Sequence, residues 1–220
     1  GVALSSDGTI VAVGGSPNSG YVGSVSVYQY DNPGSTGGSW NPLGNAILGD
    51  EAGSDWGRYV ALSSDGTILA ASAAEYNSNQ GRIKIYQYTN SDWNQLGSSI
   101  DGDGTSQLGR EGVNLSSDGS IVASISWGTS GKVRVFETGI NRTVTGPATL
   151  LSASTKPKLN KEGDKLTILS EQHLSTLSGN GIVQSYQYSQ SDASWNYLGD
   201  KIESSALNDI SGGTIDINAD

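Results

Sequence analysis

Two kinds of residue in this chain have types and spacings that could carry chemistry. Acidic residues gather at Asp50, Glu51 and Asp55, again at Asp101 and Asp103, and more loosely at Glu203 and Asp209. A pair of carboxylates can act as acid and base on a glycoside, or supply oxygens to Ca²⁺, once a scaffold fixes their separation. Aromatic and imidazole side chains, Tyr21, Tyr76, Trp127 and His173, fall in segments whose length and composition vary along the chain. His173 is the sole histidine, so any Ser-His-Asp or histidine–metal arrangement would have to use it. No Gly-x-Ser-x-Gly phrase accompanies it, and it is read as loop polarity. The arginines, Arg58, Arg82, Arg110, Arg134 and Arg142, are spread along the chain and not gathered to grip a carboxylate.

What positions these residues is a repeat. Val2-Ala3-Leu4-Ser5-Ser6-Asp7-Gly8-Thr9-Ile10 returns as Val60 to Ile68, as Val113 to Ile121, and in worn form as Pro157-Lys158-Leu159-Asn160-Lys161-Glu162-Gly163. Val25-Ser26-Val27-Tyr28-Gln29-Tyr30 returns at Ile83, Val133 and Val183. Trp40-Asn41-Pro42-Leu43-Gly44 returns at Trp93 and Trp195, with an eroded copy at Thr145 to Leu150. The three phrases keep their order, and Trp40 and Trp93 set a period of about 53 residues.

Each period holds four short β-like segments, the content of one propeller blade. The Asp-Gly between the first two predicts a tight turn, since glycine accepts positive φ without a Cβ clash. Near-continuous apolar strands such as Ile10 to Val13 and Ile121 to Ile125 need cover on both faces, which neighbouring blades supply. Gly, Ser, Asn and Asp interrupt every stretch long enough for a useful helix. The expected fold is therefore all-β, a β-propeller with four four-stranded blades: blade 1 at about 1–49, blade 2 at 57–101, blade 3 at 110–151 and blade 4 at 156–203. Residues 212–220 align with a fifth first strand, and the chain lacks even an initial Met, so a piece of a longer protein and a larger ring is expected. Uncovered blade faces would then favour self-association. Trp40, Trp93 and Trp195, one per repeat position, are expected to pack blades together.

These phrases resemble the Ser-Ser-Asp-Gly, Val-Tyr-Gln-Tyr, Trp-x-x-Leu-Gly repeats of surface or secreted proteins of marine microbes and algae, distantly similar to integrin-type FG-GAP blades. The resemblance runs from Val2 to Asn218 and implies a propeller at an extracellular or cell-surface location. FG-GAP blades often hold Ca²⁺ in a loop of alternating acidic residues. Ser-Ser-Asp-Gly has one carboxylate, so Asp7, Asp65 and Asp118 are read as turn formers and not as ligands. The sialidase Asp box, Ser-x-Asp-x-Gly followed by an aromatic, also fails to match.

A net charge of −10 disfavours nucleic acid and anionic lipid, and no apolar run is long enough to insert in a membrane. Cysteine is absent, which excludes disulfides and thiolate metal sites. By strand connectivity, the loops between second and third strands share one end of the propeller with the inter-blade linkers. Tyr21, Tyr76, Trp127 and His173 are thus expected to line a rim with Asp55, Asp101 and Asp103 and to meet a protein or a glycan. No catalytic residue, metal or other cofactor is assigned, with Ca²⁺ at the acidic clusters held as the one cofactor alternative. The expected role is non-enzymatic binding or adhesion. A self-assembling lattice or filament protein and a polysaccharide hydrolase are the alternatives. Of the glycosylation sequons, Asn114 lies in an expected strand and Asn141 is the plausible acceptor.

Overall fold

The computed structural model describes residues 1–15, 21–34, 37–127, 132–138, 143–144, 154–171, 182–192, 194–200 and 202–203. Each repeat becomes one antiparallel sheet. Blade 1 holds β1 (Val2–Leu4), β2 (Ile10–Gly15), β3 (Ser24–Tyr30), β4 (Trp40–Pro42) and β5 (Ile47–Leu48). Blade 2 holds β6 (Trp56–Leu62), β7 (Ile68–Ala73), then a single helical turn α1 (Tyr76–Asn79), β8 (Arg82–Thr89), β9 (Asp92–Gln95) and β10 (Ile100–Asp101). In blade 3 are β11 (Val113–Leu115), β12 (Ile121–Ser126), β13 (Lys132–Glu137) and β14 (Thr143–Val144). Blade 4 contains β15 (Ser154–Leu159), β16 (Lys165–Glu171), β17 (Ile182–Ser189), β18 (Ser194–Tyr197) and β19 (Ile202–Glu203). The first strands β1, β6, β11 and β15 touch one another in sequence, so the sheets succeed each other around an axis as the blades of a β-propeller. Residues 212–220, read above as a further first strand, lie outside the described residues.

The outermost strand differs from the expectation of one continuous segment. In blades 1, 2 and 4 it is two short pieces that both pair with the third strand. The break falls in the Leu-Gly of the Trp phrase. Leu43, Leu96 and Leu198 still donate their N–H to Val27, Ile85 and Ser185 at 2.8, 2.8 and 2.9 Å. Gly44, Gly97 and Gly199 then turn left-handed, with φ of 77, 72 and 73°, and end the pairing as only glycine does without strain.

Among the described residues the core is three layers between blades. Pleating sends alternate side chains to a back face, toward the next blade, and a front face, toward the preceding one. Blade 1 presents Ile10, Ala12, Val25, Val27 and Ile47 on its back face, against Trp56, Val60, Leu69, Ala71, Tyr86 and Trp93 on the front of blade 2. Blade 2 repeats the arrangement with Ala61, Ile68, Ala70, Ile83, Ile85 and Ile100 against Leu108, Val113, Leu115, Val122 and Phe136. Sandwiched on both sides, all six residues of β7 are buried.

Each Ser-Ser-Asp-Gly turn is a small network. Ser63 Oγ donates to Asp65 Oδ1 at 2.7 Å and accepts the Ile68 N–H at 2.9 Å, while Asp65 Oδ1 accepts Thr67 N–H at 3.0 Å and Thr67 Oγ1 at 2.9 Å. Ser5-Asp7-Thr9 and Ser116-Asp118-Ser120 repeat it. The worn fourth copy preserves it with different chemistry: Asn160 Oδ1 accepts Lys165 N–H at 2.8 Å and its Nδ2 donates to Glu162 and Asp164. Turns are linked blade to blade, Ser6 N–H to Ser64 O at 2.9 Å, Ser64 N–H to Ser117 O at 2.7 Å, and Ser117 N–H to Lys161 O at 3.0 Å.

Burial opposes ionisation of Asp65 as the largest single influence, but the donors from Ser63 and Thr67 together outweigh it and hold the carboxyl below its ordinary value. A depressed carboxylate contributes stability above the unfolded value, about 3.9, that is lost as pH falls through the folded value. Asp65→Ala is therefore expected to cost about 1 kcal/mol at neutral pH, discounted for exposure. The gap from wild type should close below about pH 4. Urea unfolding from pH 7 to 2 measures this; a constant gap would rule out the carboxylate as the cause.

Candidate binding rim

At the end opposite the Asp-Gly turns, the described parts of the loops between second and third strands in blades 1 and 2 interleave with the inter-blade linkers. Gly53 N–H reaches Tyr21 O at 3.1 Å, Glu75 N–H reaches Ser54 O at 3.0 Å, and Asn77 N–H reaches Glu51 Oε2 at 3.0 Å. One junction further on, Gln107 N–H bonds Asn79 O at 2.9 Å and Gly102 N–H bonds Gly81 O at 2.9 Å. Asn77, Ser78 and Asn79 carry positive φ, which folds residues 75–80 tightly enough to meet both linkers.

The aspartates of this rim are held by cations. Arg82 grips Asp101 through two parallel bonds, Nε to Oδ1 at 2.6 Å and Nη2 to Oδ2 at 2.8 Å, and reaches Asp50 Oδ2 from Nη1 at 3.0 Å. Its guanidinium lies 3.8 Å from the Tyr76 ring centroid. Lys84 Nζ takes the other oxygen of Asp50 at 2.6 Å. Asp55 pairs with Arg58 at 2.7 Å, and Asp103 stands 3.4 Å from Arg134. Burial works against the Asp50 carboxylate, yet the bonds from Lys84 and Arg82 prevail and hold it below its usual value. Hydrogen bonding to Asp101 drives Arg82 further above its usual range.

Tyr21 and Trp127 are the open aromatics of the rim, 71% and 42% exposed. Trp127 is braced by Arg110, whose guanidinium sits 4.8 Å from its ring. The structure thus places Tyr21 beside the first linker, Tyr76 and Asp101 around one arginine, and Trp127 at the junction of blades 2 and 3. It does not stack the aromatics on one another: among the described residues no ring contact joins them. His173 and Asp209 lie outside the described residues. Among the described residues no group of three or more His, Cys, Asp or Glu side chains could hold a metal ion.

Sequence reasoning missed the basic half of these pairs. The signal was present as Arg82-Ile83-Lys84-Ile85 and Lys132-Val133-Arg134-Val135, a basic pair at period two opening the third strand of successive blades, and as the recurring Gly57-Arg58 and Gly109-Arg110. Trp40 also departs from expectation. Its counterpart Trp93 is buried and donates Nε1–H to Leu43 O of the preceding blade at 2.8 Å, whereas Trp40 is 45% exposed, because no described residue covers the front of blade 1.

A second concavity opens on the axis at the turn end. It has a volume of about 190 Å³ and is lined by Leu4, Leu62, Leu115 and Leu159 with Ser64, Ser117 and Lys161 at its edge.

No protein-family profile and no curated protein matches the chain. Solved structures do. TolB from Acinetobacter baumannii superposes with a TM-score of 0.56 at 15% identity, over 94% of this chain and 43% of that one. A candidate 6-phosphogluconolactonase from Bacteroides fragilis NCTC 9343 gives 0.58 at 15% identity, over 92% and 54%. The β-propeller domain of the Trilobed protease from Pyrococcus furiosus gives 0.50 at 10% identity, over 92% and 55%. The class defined by fold and comparison is the β-propeller. This chain spans about half the length of the chains it matches.

Proposed function

We propose that this chain is a non-catalytic recognition module of a secreted or cell-surface protein, binding a protein or glycan through the rim of second-to-third-strand loops and linkers. The observation that carries the reading is Trp127, 42% exposed with the Arg110 guanidinium 4.8 Å from its ring centroid. A braced aromatic loses little side-chain entropy on binding and offers a face to a sugar ring or a planar side chain. The charge state of the carboxylates supports the same reading over a hydrolase. A glycosidase needs one carboxyl raised to act as acid. On the rim, Asp50 goes the other way: burial opposes its ionisation, but the bonds from Lys84 and Arg82 hold it below its ordinary value. Asp50, Asp55, Asp101 and Asp103 are neutralised by arginine and lysine, so binding is expected to persist when Ca²⁺ is chelated.

Glycan arrays and pull-downs with the folded chain identify the partner. Trp127→Ala and Tyr21→Ala are each expected to weaken its binding about tenfold or more, with the melting temperature nearly unchanged. Unaltered affinity in both variants would remove the rim from the account.

A further inference from the structure

The two end faces of the described blades differ in chemistry. On the front of blade 1, Val2, Leu4, Val13 and Trp40 hold the positions that Val60, Leu62, Ala71 and Trp93 hold in blade 2. There those side chains bury themselves against the back of blade 1, and Asp92 adds a latch, accepting Asn45 N–H and Nδ2–H at 2.9 Å each. In blade 1 the same positions are open, with Val2 69% and Leu4 57% exposed. This front face is a complete blade interface running from the innermost to the outermost strand.

The back of blade 4 is not its complement. Where blade 2 carries Ala61, Ile68, Ala70 and Ile85, blade 4 carries Lys158, Lys165, Thr167 and Ser185. Thr167 Oγ1 and Ser185 Oγ bond each other at 2.7 Å. The back faces of blades 1, 2 and 3 are already occupied. Among the described residues the back of blade 4 is apolar only along its outer strands, at Val183, Leu198 and Ile202. A second copy of this chain therefore offers a back face that is polar over the inner strands, where Val2, Leu4 and Val13 need cover. A single added strand would cover only one strand's width of a face that spans the sheet.

The geometry points to a further complete blade as the occupant: an antiparallel sheet standing before blade 1 in the ring, with an alanine, isoleucine and valine back face like that of blades 1 and 2. Burial of Val2, Leu4, Val13 and Trp40 against it would reproduce the layer between blades 1 and 2.

The chain has no cysteine, so one introduced by Val13→Cys reports on this face alone. Its thiol is expected to react with a disulfide reagent at nearly the rate of a free thiol in the chain as it stands. Placing a second copy of residues 2–59 ahead of Val2, with the cysteine only in the original copy, should slow that reaction about tenfold or more, and should raise the melting temperature by several degrees. Ile10→Lys with Val25→Lys in the added copy should restore the fast reaction. Unchanged reactivity and melting with the added copy overturn the inference. So does protection in the unextended chain: if independent of concentration, the chain covers its own face; if it grows with concentration, a second copy does.

Discussion

Trp56→Ala is expected to destabilise the protein by about 3–5 kcal/mol, the range for emptying a large buried aromatic site. Trp56 opens β6 and is 2% exposed, lying between blades 1 and 2. Its ring meets Tyr86 edge-on, with centroids 6.2 Å apart, and its Nε1–H donates to Ile47 O of the preceding blade at 3.1 Å. Removing it leaves a cavity and takes one hydrogen bond from the Ile47 carbonyl in one step. The site cannot collapse, because the surrounding main chains are already in contact: a Cβ at Gly14 would overlap the Gly57 carbonyl, and one at Gly23 would overlap that of Trp56. Trp56→Phe keeps most of the volume and loses the hydrogen bond, so its cost should fall to about 1–2 kcal/mol. Urea unfolding gives the magnitudes, and hydrogen exchange should show β2 and β3 losing protection before β12 and β13. A loss under 1 kcal/mol for Trp56→Ala would show that blade 1 is held to blade 2 by other contacts.

The parts of the fold that were legible in sequence are those that repeat for a local reason. The Asp-Gly turn follows from backbone sterics at Gly8, Gly66 and Gly119, whose φ values are 71, 71 and 73°. The Tyr-Gln-Tyr strand follows from alternation, which buries Tyr86 and burial then pushes its hydroxyl up to about 12. What stayed hidden depends on neighbours distant in sequence. Asp50 and Asp101 look like solvated linker acids until Arg82, on a strand between the two linkers, is seen to hold both. Trp40 and Trp93 are equivalent in phrase and opposite in exposure, because packing belongs to the pair of blades and not to the repeat. The linker residues Asp55-Trp56-Gly57-Arg58 and Gln107-Leu108-Gly109-Arg110 escaped as anchors because Trp and Leu share no pattern beyond being large and apolar. Yet both are buried behind a residue of positive φ, Asp55 at 64° and Gln107 at 45°.

Arg82 carries the second large effect. Its side chain is mostly buried, its planar fork fits Asp101 at two points, and its remaining Nη1 reaches Asp50, so it ties the linker entering blade 2 to the one leaving it. Losing it strips Asp101 of its two-point cation, leaves Asp50 to Lys84 alone, and removes the guanidinium stacked on Tyr76. Because both acids remain partly in water, the expected cost of Arg82→Ala is about 2–3 kcal/mol, below the full penalty of a deeply buried pair. Arg82→Lys should recover less than half of this, since an ammonium keeps the charge but can reproduce neither the two-point grip nor the stacking. The dependence on pH follows from Asp50, whose carboxyl is lowered. Its stabilisation is present above the unfolded value near 3.9 and is lost as pH falls through the folded value, so the gap between wild type and Arg82→Ala should narrow below about pH 4 by the part that Arg82, beside Lys84, contributes to holding Asp50 ionised. A double-mutant cycle with Asp101→Asn separates the causes. If Arg82→Ala costs as much in the Asp101→Asn background as in the wild type, the arginine acts through Asp50 and its stacking on Tyr76 and not through Asp101. A coupling of about 1 kcal/mol or more places the clamp in the ion pair.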